Sequence, residues 1–248
     1  MGTRLFEGLK VIDCASFIAA PAAATILSDF GADVVKLEPP VTGDPYRQSY
    51  VRKGSPVSVH NYPWIMEARN KRSLAIDLSR DESRAILHRL VANADIFITN
   101  FPFPVRKRLG IAYPALSAIN ERLIYASFTG YGETGAEMNK PGFDNTAWWA
   151  RSGMMDAVKA DDSSEPAKTV QGMGDHPCSL SLFSGIMLAL YRRDRTGKGG
   201  EVRTSLMANG AWANSYMIQA KLCGAEIPPR PPRTEAANAL INHYRCRD

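Results

Sequence analysis

Asp175 stands in the segment VQGMGDHPCSLSL, with Gly172 and Gly174 ahead of it and a long helical pattern behind it. Glycines let backbone and ligand approach closely, and a helix start leaves amide N–H groups without partners. A carboxylate there has two readings. One is an N-capping aspartate, a preferred residue at that place. The other is a carboxylate nucleophile. His176 adjoins it and can tune it, although neighbours one apart on a helix point away from each other. Asp144, in KPGFDNTAWWARSG, is the second acidic candidate. With Phe143 it follows a strand and its loop, where ligands sit in open α/β sheets, or else it caps a turn over the core aromatics Trp148 and Trp149. Asn70-Lys71-Arg72-Ser73 and Arg106-Lys107-Arg108 offer charge-assisted donors for a phosphate, or are solvated basic surface.

Other chemistry is thinly supplied. His60, His88, His176 and His243 have no metal-ligand spacing, and His88 falls inside an amphipathic helix as a structural residue. The four cysteines (Cys14, Cys178, Cys223, Cys246) lie far apart and form no CxxC pair. No metal site is expected, a disulfide framework is disfavoured, and a reducing cytoplasm is the expected compartment.

The elements that must position these residues read as an alternation. LKVIDCA (9–15), ADVVKLE (32–38), SLAIDL (73–78), DIFITN (95–100) and RLIYASFTG (122–130) are buried strands. Pro21 opens a small-residue helix over 22–30 that stops at Gly31, and Ser79 caps a helix over 81–94. Apolar strands separated by helices predict an α/β, Rossmann-like parallel sheet with helices on both faces. The first strand-to-helix turn, CASFIAAPAAA, has no glycine, so neither a dinucleotide fingerprint nor a P-loop is present there. Two long helices follow, over 175–194 and 204–224, joined by a glycine-rich turn, and then a proline-rich linker, EIPPRPPRTEAA. This divides the chain into 1–200, a large domain, and 201–248, a helix and linker leading towards a small second domain.

With 248 residues, 45% hydrophobic and 22% charged, the chain is long enough for a substantial core. No run approaches a membrane span, and the start carries no secretory pattern. Lys and Arg number 30 against 25 Asp and Glu, a net charge of +5. That excess suits small polyanions, while nucleic-acid binding lacks a module or interleaved aromatics to support it.

The ordered set LFEGLKVIDCASFIAAPAAATILSDFGADVVKLEPP, NKRSLAIDL, ADIFITNFPFPVRKRLG, RLIYASFTGYGETG, PGFDNTAWWARSG, GMGD and LALYRRDRTGKGGEVRTSLM resembles the class III coenzyme A-transferases. Relatives of that family include formyl-CoA transferase and α-methylacyl-CoA racemase. The resemblance implies that Asp175 is the nucleophile, moving CoA between an acyl-CoA and a carboxylic acid through an aspartyl anhydride and an aspartyl-CoA thioester. It implies that Phe17, Ile18, Ala19, Lys71, Arg72, Arg108, Leu109 and Lys140 contact CoA, and that Asp144 belongs to the active site. Acyl-CoA is then a substrate, with no permanently held cofactor. Pro39 replaces an arginine that helps hold the nucleotide in formyl-CoA transferase. Ile18 replaces a polar side chain, which with Trp148 and Trp149 suggests a larger, less polar acyl group. The likeness covers the amino-terminal part of such enzymes, which form interlocked homodimers and carry a second domain and a closing loop. Alternatives are a racemase acting at the α-carbon and a CoA-binding fragment without turnover.

Overall fold

The computed structural model describes residues 4–236 and 238–247. The described residues form six strands, β1 Lys10–Cys14, β2 Asp33–Glu38, β3 Arg72–Ala75, β4 Ile96–Thr99, β5 Ile124–Thr129 and β6 Gly200–Ser205, with β-branched residues in all but β3. They pair into one parallel sheet in the order β3-β2-β1-β4-β5-β6. The helices in chain order are α1 Ala19–Asp29, α2 Tyr62–Ala68, α3 Asp81–Val91, α4 Phe103–Arg108, α5 Tyr113–Ser117, α6 Met154–Ala157, α7 Asp175–Thr196, α8 Leu206–Ala213 and α9 Ser215–Leu222.

Parallel strands need crossovers, and these helices cover both faces of the sheet, as the sequence predicts. Alternation within each strand divides the core. Val11, Val34, Ile96, Ile98 and Ile124 share one cluster with Ala20, Ala23, Ala24 and Leu27 of α1 and Leu182 and Ile186 of α7. Ile12, Leu37, Phe97 and Tyr125 share the other with Leu87 and Val91 of α3 and Leu116 of α5. The sheet order reverses between β1 and β4, so the connections leaving their carboxyl ends diverge and open a crevice.

Three local expectations are corrected. The glycine-rich stretch 195–202, expected as a turn between two helices, instead carries the end of α7 and runs into β6, which pairs along its length with β5. The glycines there serve close approach: a Cβ on Gly199 would collide with the backbone of Arg122 and Leu123. The helix expected over 204–224 begins at Leu206, capped by the Ser205 hydroxyl accepting from the Ala208 amide at 3.1 Å, and breaks at Asn214. Ser79 does not cap α3. It turns back to Asp77, and Arg80 precedes the helix with no side-chain cap. Among the described residues no helix is long and apolar enough to cross a membrane.

Candidate active site

The turn from β1 into α1 is under strain. Phe17 has φ +66, a left-handed conformation that costs a non-glycine residue about 1–3 kcal/mol. Four hydrogen bonds hold it. Lys36 Nζ donates to the Ala15 carbonyl at 2.9 Å. The Ser16 amide donates to Asn100 Oδ1 at 2.9 Å, and Asn100 Nδ2 donates to the Ser16 carbonyl at 2.7 Å. The Phe17 amide donates to Asp44 Oδ1 at 3.3 Å. Lys36 and Asp44 belong to a buried charge cluster with Asp13 and Lys71: Lys36 Nζ lies 3.0 Å from Asp44 and 3.6 Å from Asp13, and Lys71 Nζ lies 2.9 Å from Asp13. Burial pushes the Asp13 carboxyl up, but the two ammonium groups more than offset this and hold it below the usual carboxylate range. Burial pulls Lys71 down, and Asp13 offsets only part of that.

Above this turn lies a cleft at the carboxyl ends of the strands. Phe17, Ile18 and Ala19 form one wall, Asn100 follows β4, and Phe128, Thr129 and Gly130 close it from β5. Phe143 and Leu206 add apolar surface, and Asp175 faces in. The rings of Phe17 and Phe143 meet edge to face at 5.6 Å between centroids. Trp148 and Trp149 do not line the cleft, which corrects their expected role beside the acyl group. They stack on each other in the core, 5.9 Å apart, beneath the loop that carries Asp175. A Cβ on Gly174 would lie 2.6 Å from the Trp148 ring, so the glycine ahead of Asp175 is required by that packing.

Asp175 is the first residue of α7, after the N-cap Gly174, and among the described residues its side chain takes no hydrogen bond. The capping reading therefore fails. Burial, then the neighbouring charge of Asp144, with a smaller push from Glu67, raises its carboxyl to about 7, while His176 opposes the rise. The helix start also favours the anion, and burial outweighs it. Asp144 is itself buried at the head of a π-helical turn, Asp144–Ala150. Its Oδ1 accepts from the Asn145 amide at 2.7 Å and its Oδ2 from the Gly172 amide at 3.0 Å. It ties down the loop before α7 from behind the cleft.

The structure thus brings together Phe17, Ile18, Ala19, Asp144 and Asp175, and it does not bring in Lys71 or Arg72. The Lys71 ammonium is buried against Asp13 and the Pro21 carbonyl, 2.7 Å away, and is closed to a phosphate. Arg72 begins β3 and forms a two-pronged pair with Asp33, the first residue of β2. Its backbone is therefore at the amino end of the sheet, opposite the cleft. Arg108 ends α4 with its side chain exposed and, among the described residues, without an ion pair, and Leu109 caps that helix. Arg106 of the same helix is instead buried against Glu133 at 2.5 Å. Lys140 is exposed and pairs with Glu137 at 2.9 Å. Sequence reasoning missed Asn100, Thr129, Gly130, Leu206 and Glu67. Asn100 carries a usable signal, a polar residue just past the carboxyl end of β4, whereas Glu67 has none in YPWIMEA.

Fold and cleft define a doubly wound α/β domain with an uncapped carboxylate over its switch-point crevice. The profile of CoA-transferase family III matches residues 6–248. The chain is 38% identical over 245 residues to (R)-2-hydroxy-4-methylpentanoate CoA-transferase of Clostridioides difficile, covering 98% of this chain and 60% of that protein. It is 37% identical over 250 residues to cinnamoyl-CoA:phenyllactate CoA-transferase of Clostridium sporogenes, covering 99% and 60%. The crystal structure of a CAIB/BAIF family protein from Brucella suis superposes with a TM-score of 0.82 at 32% identity, over 92% of this chain and 60% of that one. The chain belongs to CoA-transferase family III. It spans 60% of the length of each of these two relatives.

Proposed function

We propose that the protein transfers CoA between an acyl-CoA and a carboxylic acid, with Asp175 as nucleophile. The observation that carries this is the Asp175 carboxyl itself: uncapped, open to the cleft and raised to about 7, it is more basic than an ordinary aspartate and still partly ionised at neutral pH. The carboxylate attacks the thioester carbonyl, giving an acyl-aspartyl anhydride and CoA thiolate. The thiolate attacks the aspartyl carbonyl, releasing the first acid and leaving an aspartyl-CoA thioester. A second carboxylate attacks that thioester, expelling thiolate and forming a new anhydride. The thiolate then takes the new acyl group and frees Asp175. Splitting the exchange in this way replaces one hard step with easier ones. Phe17, Ile18 and Phe143 supply an apolar wall for the acyl chain, which suits branched or aromatic groups such as those in the names of the two relatives. Asp144 positions the loop before Asp175. Residues 1–200 form the CoA-binding unit, and 201–248, with the proline-rich stretch after α9, lead towards a second domain. A homodimer is the proposed assembly, and the four free cysteines suit a reducing cytoplasm.

Arg108 is the arginine we place at the CoA phosphates, with Leu109 beside it and Lys140 as an outer contact. Arg108→Glu is expected to weaken CoA binding roughly tenfold or more, and added salt should weaken the wild type more than the variant. Calorimetry giving equal affinities would remove Arg108 from the site.

A racemase needs an acid and a base on opposite faces of the α-carbon. Phe143 carries no proton, and both Asp144 oxygens are engaged by backbone amides. Incubating the active enzyme with a 2-methylacyl-CoA and labelled acid in heavy water separates the readings. We expect label to enter acyl-CoA with no deuterium at the α-carbon. Deuterium arriving faster than CoA moves would establish the racemase, and CoA bound without either exchange would leave a binding protein.

A further inference from the structure

Glu67 is a buried carboxylate that the transfer chemistry does not use. It lies near the end of α2 with only 3% of its surface exposed. Its Oε1 is 2.6 Å from His176 Nε2, and its backbone carbonyl accepts from the Thr25 hydroxyl of α1 at 2.5 Å. His176 is the residue after Asp175, and its amide donates to the Gly172 carbonyl at 3.0 Å. The imidazole is therefore pinned from another element, close against the turn that presents the nucleophile. We propose that Glu67 is a positioning residue that, through His176, keeps a positive charge beside the Asp175 carboxylate and so sets how much of the nucleophile is ionised. The proposal rests on the reading of Asp175 as nucleophile.

The charges around this turn are few. Asp144 faces Asp175 from the π-helical turn and disfavours its anion, and Glu67 adds to that. Tyr46, from the 3₁₀ turn Pro45–Val51, lies near both Glu67 and Asp175 and is held neutral by burial and by those charges. Lys71 is close enough to Glu67 to interact with it. Along α7, α1 carries only Asp29, at its far end, and α8 carries no charged residue. Val202 of β6 packs against Gly185 of α7, so Glu201 and Arg203, which alternate with it, lie on the other face of the sheet. Among the described residues His176 is thus the nearby side chain that favours the Asp175 anion, adding to the helix start. Its own proton is held by the Glu67 hydrogen bond, which outweighs partial burial and raises the imidazole above its ordinary value. An opposite charge at contact distance generally moves a titrating group by roughly one or more pH units.

Two variants test this. His176→Gln keeps a donor for Glu67 and removes the positive charge. Glu67→Gln keeps the shape and removes the carboxylate. Titrations are read on the resting protein, by imidazole NMR for His176 and by the infrared carboxylate band that Asp175→Asn deletes. The Asp175 midpoint should rise by about one pH unit in His176→Gln, and the His176 midpoint should fall by about one unit or more in Glu67→Gln. The pH at which kcat/KM for CoA exchange half-rises should move up with the Asp175 midpoint in His176→Gln. Unmoved midpoints in both folded variants would overturn the proposal. Because the titrations need no turnover, shifted midpoints in a protein that exchanges no CoA would uphold the pair while refuting the transferase reading.

Discussion

Replacing Asp175 with alanine is expected to lower CoA exchange by at least about 10³-fold, because among the described residues lining the cleft it alone carries a carboxylate that can form both an anhydride and a thioester. Incubating the active enzyme with acyl-CoA and hydroxylamine should convert Asp175 to a hydroxamate, found by peptide mass. Exchange near the wild-type rate in Asp175→Ala would refute the mechanism. The same variant should keep its fold, and the sign of the ionisation effect makes this testable. The folded carboxyl titrates near 7 against an ordinary 3.8, so its stabilising contribution is complete below about pH 4 and is lost as pH rises through 7. At about 1.4 kcal/mol per pH unit, holding the anion in the folded state costs on the order of 4 kcal/mol at pH 8. Asp175→Ala should therefore be no less stable than wild type at pH 8, with a flatter dependence of stability on pH between about 4 and 8.

Asp13→Asn is expected to be the costliest single change outside the cleft. Asp13 is fully buried and stands between the ammonium groups of Lys36 and Lys71. Among the described residues, neutralising it leaves Lys71 with no carboxylate at contact distance and Lys36 paired with Asp44 alone. Breaking a buried ion pair on one side typically costs about 3–5 kcal/mol, through the stranded charge more than through the lost attraction. Urea unfolding at pH 7 reads this directly, and a loss below about 1 kcal/mol would show that the cluster is not the support described here. Loss of the cluster also frees Lys36 and Asp44, which hold the Ala15–Phe17 backbone, so CoA affinity should fall with stability. A variant in which Asp13→Leu and Lys71→Met remove both partners should recover part of the lost stability, since no unpaired charge then replaces the Asp13–Lys71 pair.

Period and punctuation in the amino-acid sequence determined the fold class. Strands β1, β2, β4 and β5 and the start of α7 fall where apolar runs and Gly174 place them, because these signals are local. Asp175 was likewise legible as a candidate, since glycines before a helix are visible in one line of text. Whether it caps the helix or stands free with a raised carboxyl was not legible. That depended on Trp148 filling the space at Gly174 and on Asp144 and Glu67 arriving from distant elements to raise its carboxyl. Lys71 and Arg72 show the same limit from the other side. Their sequence advertises phosphate binding, yet Asp13 and Asp33, remote in the chain, take both charges. β6 escaped detection because a short strand at the sheet edge with a half-polar face reads like a turn when it follows glycines. Local propensity is written in neighbouring residues. The ionisation of a carboxylate and the partner of a lysine are decided by desolvation and by charges that only folding brings within a few ångströms.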